Sequence, residues 1–156
     1  MPAKKWPIDR FAELVKYLLK NFPELNILLL GSKDEIEDGK MLHAINPERV
    51  MNLSGQLDII ETAEVLSRSK LLVSNDTGTM HLGAAMSVPV VALFSARDNP
   101  GKWEPWGGKN IVLRKEVCCS GCFLSQCNND NMCINLITVE DVIKAINKML
   151  MKGGKI

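Results

Sequence analysis

A three-layer α/β/α fold with a mainly parallel sheet is the class that this 156-residue sequence predicts, and three observations point to it. Short apolar runs alternate with amphipathic stretches at the spacing of βαβ units. Two of those runs, Ile27-Leu28-Leu29-Leu30 and Val90-Val91-Ala92-Leu93-Phe94, lack polar alternation, as expected of strands covered on both faces. Residues 71–86 read as strand, turn and helix: Leu71-Leu72-Val73 ends in a polar turn, and a small-residue helical pattern follows at once. Crossovers between such strands are expected to be right-handed. No internal repeat, low-complexity tract or second domain is visible, so residues 1–156 are expected to form one domain.

Taken in order, the first helix starts at Ile8-Asp9, with Phe11, Leu14, Val15, Leu18 and Leu19 on one face, and Pro23 ends it. A fully buried strand is expected over 26–31. The turn Gly31-Ser32-Lys33-Asp34-Glu35 opens a second helix running to about Ile45, weakened by Gly39 and stopped by Asn46-Pro47. A short strand follows over 50–53, then a Ser54-Gly55 turn. Asp58 with Glu61 three residues on is close to a capping box, and Ile59, Ile60, Ala63 and Leu66 outline the apolar side of that helix. After the strand, turn and helix of 71–86 comes the buried strand 90–94. A polar loop over 95–109 carries Trp103 and Trp106, and a last strand covers 110–114. The cysteine-rich segment 118–133 precedes a closing helix that starts at Thr138, with Asp141 three residues later and Val142, Ile143, Ile146 and Leu150 on its face. Lys152-Gly153-Gly154-Lys155 is expected to be a frayed end.

Composition excludes several classes of function. With 46% hydrophobic and 24% charged residues the chain is an ordinary globular protein, large enough to bury roughly 70% of its unfolded surface. A net charge of +1 gives no case for a nucleic-acid partner or an anionic membrane. No apolar stretch approaches the roughly 20 residues that span a bilayer. The start, Met1-Pro2-Ala3-Lys4-Lys5-Trp6-Pro7, lacks the apolar core of a signal peptide, so the expected location is cytoplasmic. Five cysteines, an odd number, argue against a fully paired disulfide framework.

The chemistry concentrates where strand 71–74 stops and brings Asp76, Thr77, Gly78, Thr79 and His81 together. In open parallel α/β sheets, ligands bind beyond the carboxyl ends of the strands. The amides of a helix N-terminus, with a macrodipole charge of roughly +0.5, favour an anion there. This stretch therefore reads as a phosphate-binding turn with a carboxylate beside it.

The run Ser74-Asn75-Asp76-Thr77-Gly78-Thr79-Met80-His81-Leu82-Gly83-Ala84-Ala85, followed by Pro89-Val90-Val91-Ala92-Leu93-Phe94, resembles glycosyltransferase family 9. That family includes the bacterial lipopolysaccharide heptosyltransferases. Lys4-Lys5-Trp6-Pro7 resembles the family's Lys-x-Trp-Pro segment, and Leu30-Gly31-Ser32-Lys33-Asp34-Glu35 its Gly-x-x-x-Glu turn. Asn52-Leu53-Ser54-Gly55 and the later Cys-x-x-Cys segment also agree in order and spacing. The resemblance implies the Rossmann-like, C-terminal, donor-binding half of a two-domain GT-B enzyme. The N-terminal acceptor half, where the family's general base is thought to lie as an aspartate, is expected to be absent. Met1-Pro2-Ala3 before the Lys-x-Trp-Pro segment fits either an excised domain or a truncated gene product. The implied donor is a nucleoside-diphosphate sugar, ADP-heptose by family, and the implied acceptor a lipid-linked core sugar at the inner face of the bacterial inner membrane. No cofactor and no metal are expected.

The resemblance also implies roles. Asp76 would accept hydrogen bonds from the donor sugar; capping the next helix is its structural alternative, and the two are compatible. Thr77, Gly78 and Thr79 would present backbone N–H groups to the pyrophosphate, with Gly78 allowing close approach, unless this is an ordinary glycine turn. His81 would bond a phosphate or a neighbouring loop, or else pack to hold the turn. Lys4, rather than Lys5 in the variable place, would supply charge to the leaving diphosphate, or else is a solvated lysine. Glu35 would accept the ribose hydroxyls, with Asp34 as competitor and an acidic first turn as the bland reading. Trp103 and Trp106 either flank the cleft or pack on their own domain. Cys118, Cys119, Cys122, Cys127 and Cys133 hold one Cys-x-x-Cys pair; plain thiols are favoured over zinc or disulfides, because the later spacings are not a second such pair.

Other readings fare worse. An aspartic-protease Asp-Thr-Gly needs a β-rich setting, and an Asp-x-Asp phosphatase needs an acid where Ser74 stands. No Gly-x-Gly-x-x-Gly follows any strand, which removes a dinucleotide dehydrogenase. The competing class is a non-catalytic nucleotide-sugar-binding module.

Overall fold

The computed structural model describes residues 1–152, so the expected frayed end beyond Lys152 lies outside the described residues. The chain divides into two compact units, one of Pro7–Glu64 and a larger one of Met1–Trp6 with Val65–Ile156.

In the smaller unit, α1 (Ile8–Asn21) follows Pro7 at the N-cap, carries Asp9 in its first turn and buries Leu14 and Val15. β1 (Ile27–Leu29) leads through a 3-10 turn, Lys33–Glu35, into α2 (Ile36–His43) and then β2 (Val50–Asn52). The two strands pair in parallel, with Leu28 opposite Met51. The expectation of a fully buried strand at 27–30 is not met: Leu28 is 40% exposed and Met51 55%. In a two-stranded sheet both strands are edges, and the side carrying this pair is open. Gly39, expected only to weaken its helix, has a packing role. A Cβ there would stand 2.3 Å from Asn52 Oδ1. The Asn52 amide reaches across to donate to the Ile36 carbonyl at 3.2 Å, and its oxygen accepts the Ser54 N–H at 3.1 Å.

α3 (Ile59–Ser67) begins at the predicted cap: Asp58 Oδ1 accepts the N–H groups of Ile60 and Glu61, and the Glu61 carboxylate accepts the Asp58 N–H. Its predicted apolar side is only partly right. Ile59 and Ile60 are 73% and 76% exposed, whereas Leu66 is buried, because cover reaches only the C-terminal part of the helix.

The larger unit holds a 3-10 turn, Pro2–Lys4, then β3 (Leu72–Asn75), α4 (Gly78–Ala85), β4 (Val90–Phe94), β5 (Ile111–Arg114), a short α5 (Met132–Asn135) and α6 (Val139–Lys152). The sheet order is β3-β4-β5, parallel throughout. All five residues of the central strand are buried, as its apolar run predicts. Met80, Val90, Ala92 and Phe94 form a core cluster completed by Leu72, Ala84 and Val112. α4 lies on β3 and β4, and α6 on β4 and β5. Asn75 pairs with Leu93, so the loops leaving β3 and β4 emerge side by side at the carboxyl edge of the sheet. That edge carries the site.

Candidate functional site

Trp6 anchors the N-terminal segment of the larger unit. Its ring is buried, its indole N–H donates to the Ile137 carbonyl at 2.8 Å, and its backbone N–H donates to Asn75 Oδ1 at 3.1 Å. The second bond ties residue 6 to the last residue of β3, one position before Asp76. Lys4 is thereby carried to the sheet edge, where its ammonium forms an ion pair with the Asp76 carboxylate. Two predicted site residues are thus brought into contact, and Lys4 is not a solvated lysine: its side chain is 17% exposed and that of Asp76 7%.

Asp76 does not cap the following helix. Thr77 is the N-cap residue of α4, in extended conformation, and no side chain caps that helix. The Thr77 hydroxyl instead lies 3.3 Å from that of Ser74, and the Thr77 carbonyl accepts the N–H groups of Met80 and His81. A Cβ built at Gly78 meets nothing within 4 Å. Packing within the chain therefore does not require glycine here, and its absent side chain leaves the backbone approachable. Thr79 is half-buried, and His81 is exposed rather than packed into the turn.

A carboxylate that the sequence reading passed over joins this group. Asp98, in the loop after β4, is buried; its Oδ2 lies 3.9 Å from Lys4 Nζ and accepts from Arg97 Nη1 at 2.7 Å. Arg97 is itself held, with Nε donating to the Leu124 carbonyl at 2.7 Å and Nη2 to the Phe123 carbonyl at 2.5 Å. Ser95, at the head of the loop, has a buried hydroxyl with no hydrogen-bond partner among the described residues. The signal that could have found Asp98 is the rule already applied to Asp76: it follows a buried strand at the same sheet edge.

Two lysine and arginine cations and two aspartates therefore share one largely buried cluster beside an uncapped helix N-terminus. Charges out of water persist only when paired and hydrogen-bonded. The arrangement gives a fixed cation, an acceptor-only carboxylate and free-standing amide donors, a set suited to a ligand with both anionic and hydroxyl groups.

Glu35 lies in the smaller unit, half-buried, where its Oε2 accepts from the Ser32 N–H at 2.9 Å and the Ser32 hydroxyl at 3.0 Å. This is a capping box that stabilises the turn into α2. Asp34 is exposed. In the larger unit Trp103 and Trp106 are 47% and 89% exposed, so packing on their own domain is ruled out for Trp106. The Lys102 ammonium stands 5.7 Å from the Trp103 ring centroid and 5.9 Å from that of Phe123.

The cysteines are free thiols, and Cys119, Cys122, Cys127 and Cys133 line one small cavity with Ala3, Ala96, Arg97, Leu124 and Met132. Among the described residues, no three His, Cys, Asp or Glu side chains come together to hold a metal ion. The segment is tied to the site by its backbone: Gly121 N–H donates to the Ala96 carbonyl, Phe123 N–H to that of Arg97, and Ala3 N–H to that of Ser125.

Comparison with known proteins shows the family and the fold. Residues 1–133 match the model of glycosyltransferase family 9 (heptosyltransferase). Lipopolysaccharide heptosyltransferase 2 of Salmonella typhimurium is 34% identical over 117 residues, a match covering 72% of this chain and 33% of that protein. The structure of E. coli ADP-heptose LPS heptosyltransferase II superposes with a TM-score of 0.79 at 28% identity, covering 97% of this chain and 44% of that one. E. coli heptosyltransferase WaaC, solved with ADP-2-deoxy-2-fluoro heptose, gives a TM-score of 0.68 at 26% identity, covering 93% and 39%. The chain thus spans less than half the length of these relatives. It belongs to glycosyltransferase family 9, and its α/β fold with parallel pairing is the Rossmann-like fold that the sequence predicts.

Proposed function

We propose that this chain is the donor-binding half of a GT-B heptosyltransferase, holding ADP-heptose for transfer, with inversion, to a lipopolysaccharide-core acceptor carried by an N-terminal domain. The observation that carries the reading is the ion pair of half-buried Lys4 with buried Asp76 at the end of β3, next to the uncapped N-terminus of α4. Lys4 and the amides of Thr77, Gly78 and Thr79 take the diphosphate, which gains charge as the glycosyl bond breaks. Asp76 accepts hydroxyls of the sugar. His81, exposed at the fourth position of the helix, reaches a phosphate oxygen. Glu35, bonded to Ser32 in the smaller unit, is the carboxylate that the family resemblance assigns to the ribose hydroxyls. The base that deprotonates the acceptor comes from the N-terminal domain. No described helix is long and apolar enough to cross a membrane. On the proposed reading the full-length protein works in the cytoplasm, at the inner face of the inner membrane, where its lipid-linked acceptor lies.

A second reading is favoured by the coverage: a chain matching 33% of a relative's length can bind a donor without transferring it. The two readings agree on this chain and differ on the whole protein. Calorimetry with ADP, UDP, GDP and ADP-heptose tests them together. ADP should bind weakly and ahead of UDP and GDP, ADP-heptose should bind more tightly, and the chain alone should show no transfer. Asp76→Ala should remove about tenfold of the ADP-heptose affinity, the value of a hydrogen-bonded charged group. Absence of binding by any of the four ligands would sink the donor-domain proposal.

A further inference from the structure

We infer that Asp98 is a positioning residue of the donor site: with Asp76 it holds the Lys4 ammonium between two carboxylates, and so leaves Asp76 able to turn to the sugar. The inference rests on the donor-binding role proposed above. In the ligand-free chain the two groups assigned to opposite ends of the donor, Lys4 and Asp76, are spent on each other. Asp76 is buried and Lys4 half-buried, so a one-to-one pair would have to be broken before Asp76 could accept a hydroxyl, and stripping a buried carboxylate of its partner is costly. Asp98 changes that balance. It stands 3.9 Å from Lys4 Nζ, close enough for a small shift of the ammonium to replace contact with Asp76 by contact with Asp98.

Asp98 is suited to this because it does not move. Its Oδ2 is bonded to Arg97 Nη1, and Arg97 is pinned by the carbonyls of Phe123 and Leu124. The charges of Lys4 and Arg97 balance those of Asp76 and Asp98, so relocation of Lys4 keeps the cluster neutral, and the sugar hydroxyls take the place of Lys4 on Asp76. Lys4 keeps a partner while Asp76 serves the ligand.

The test is titration calorimetry of ADP and ADP-heptose against the full chain and its Asp98→Asn, Asp98→Glu, Lys4→Ala and Lys4→Ala/Asp98→Asn variants. The readout is the ratio of the two affinities, which isolates the sugar and Asp76. Asp98→Asn should lower the preference for ADP-heptose about fivefold, the size of a coupling within one charged network. Asp98→Glu should recover most of it. Without Lys4, Asp98→Asn should leave the ratio within about twofold, because the group that Asp98 positions is gone. Should Asp98→Asn fail to fold, Arg97→Lys loosens Asp98 and should produce the same fall.

Equal loss for both ligands, or the same fall with and without Lys4, overturns the positioning role while leaving donor binding intact. If the folded native chain binds neither ligand, the donor-site proposal falls and this inference with it.

Discussion

β1 and β4 are both apolar runs in parallel pairings, yet one is open to solvent and the other is not. β4 lies between β3 and β5, beneath α4 and α6, and every residue of it is buried. β1 pairs with β2 alone, and Leu28 and Met51 are left 40% and 55% exposed. The difference lies in cover rather than composition. A strand with two neighbours and helices against it becomes a core; an edge strand of the same character needs help. In the smaller unit polar bonds provide it. Arg49 donates to the carbonyls of Leu19, Phe22 and Leu25, joining the end of α1 to the approach to β1. The Asn52 amide joins β2 to α2 across Gly39.

The strongest way to break this contrast is Trp6→Ala. The side chain is 2% exposed and donates to Ile137, so the change opens a large cavity and removes a buried hydrogen bond in the larger unit. A loss of about 3–5 kcal/mol is expected from urea unfolding followed by circular dichroism. A loss below about 1 kcal/mol would mean that the larger unit is not held by its core. Arg49→Met should be milder, about 2 kcal/mol, because it keeps the apolar stem but takes the guanidinium from the carbonyls of Leu19, Phe22 and Leu25, of which Phe22 retains the Leu25 N–H. Hydrogen exchange should locate the loss in 7–64; equal loss of protection across β3, β4 and β5 would show that the two units open together.

The same contrast explains how much was legible beforehand. The β4 run and the strand, turn and helix around Asp76 were readable because periodicity and turn chemistry are local, and both lie where the sheet is deepest. Family resemblance put Lys4 and Asp76 at one donor, but their direct pairing depends on Trp6 reaching Asn75 across 69 residues of sequence. Asp98 was hidden in a loop noticed for its tryptophans, since nothing in its neighbours' spacing says that Arg97 turns toward 123–124. Leu28, Ile59 and Ile60 were expected inside because hydropathy records a tendency to be covered, not whether cover exists. The short α5 was missed because a four-residue helix has no period to read.

The smallest effect expected compares one device used in both units. Ser32 with Glu35 caps the turn into α2, and Thr138 with Asp141 caps α6. In the second box the Asp141 carboxylate accepts the Thr138 N–H at 3.0 Å, the Asp141 N–H donates to the Thr138 hydroxyl at 3.1 Å, and Lys115 lies 3.0 Å away. The bond from the Thr138 backbone, followed by Lys115 and then the Thr138 hydroxyl, outweighs burial and holds the Asp141 carboxyl below its ordinary value. A carboxylate with a lowered native pKa stabilises the fold fully above its unfolded value, roughly 3.9, and loses that contribution as pH falls through the native value. Asp141→Asn keeps an acceptor but removes the charge, and should cost about 1 kcal/mol at pH 7, mostly through the cap because the lysine pair is screened by solvent. The two proteins should converge in stability as the pH is lowered beneath the unfolded value and through the lowered native one. A deficit that persists unchanged in acid would assign the effect to packing at the start of α6 rather than to the ionised cap.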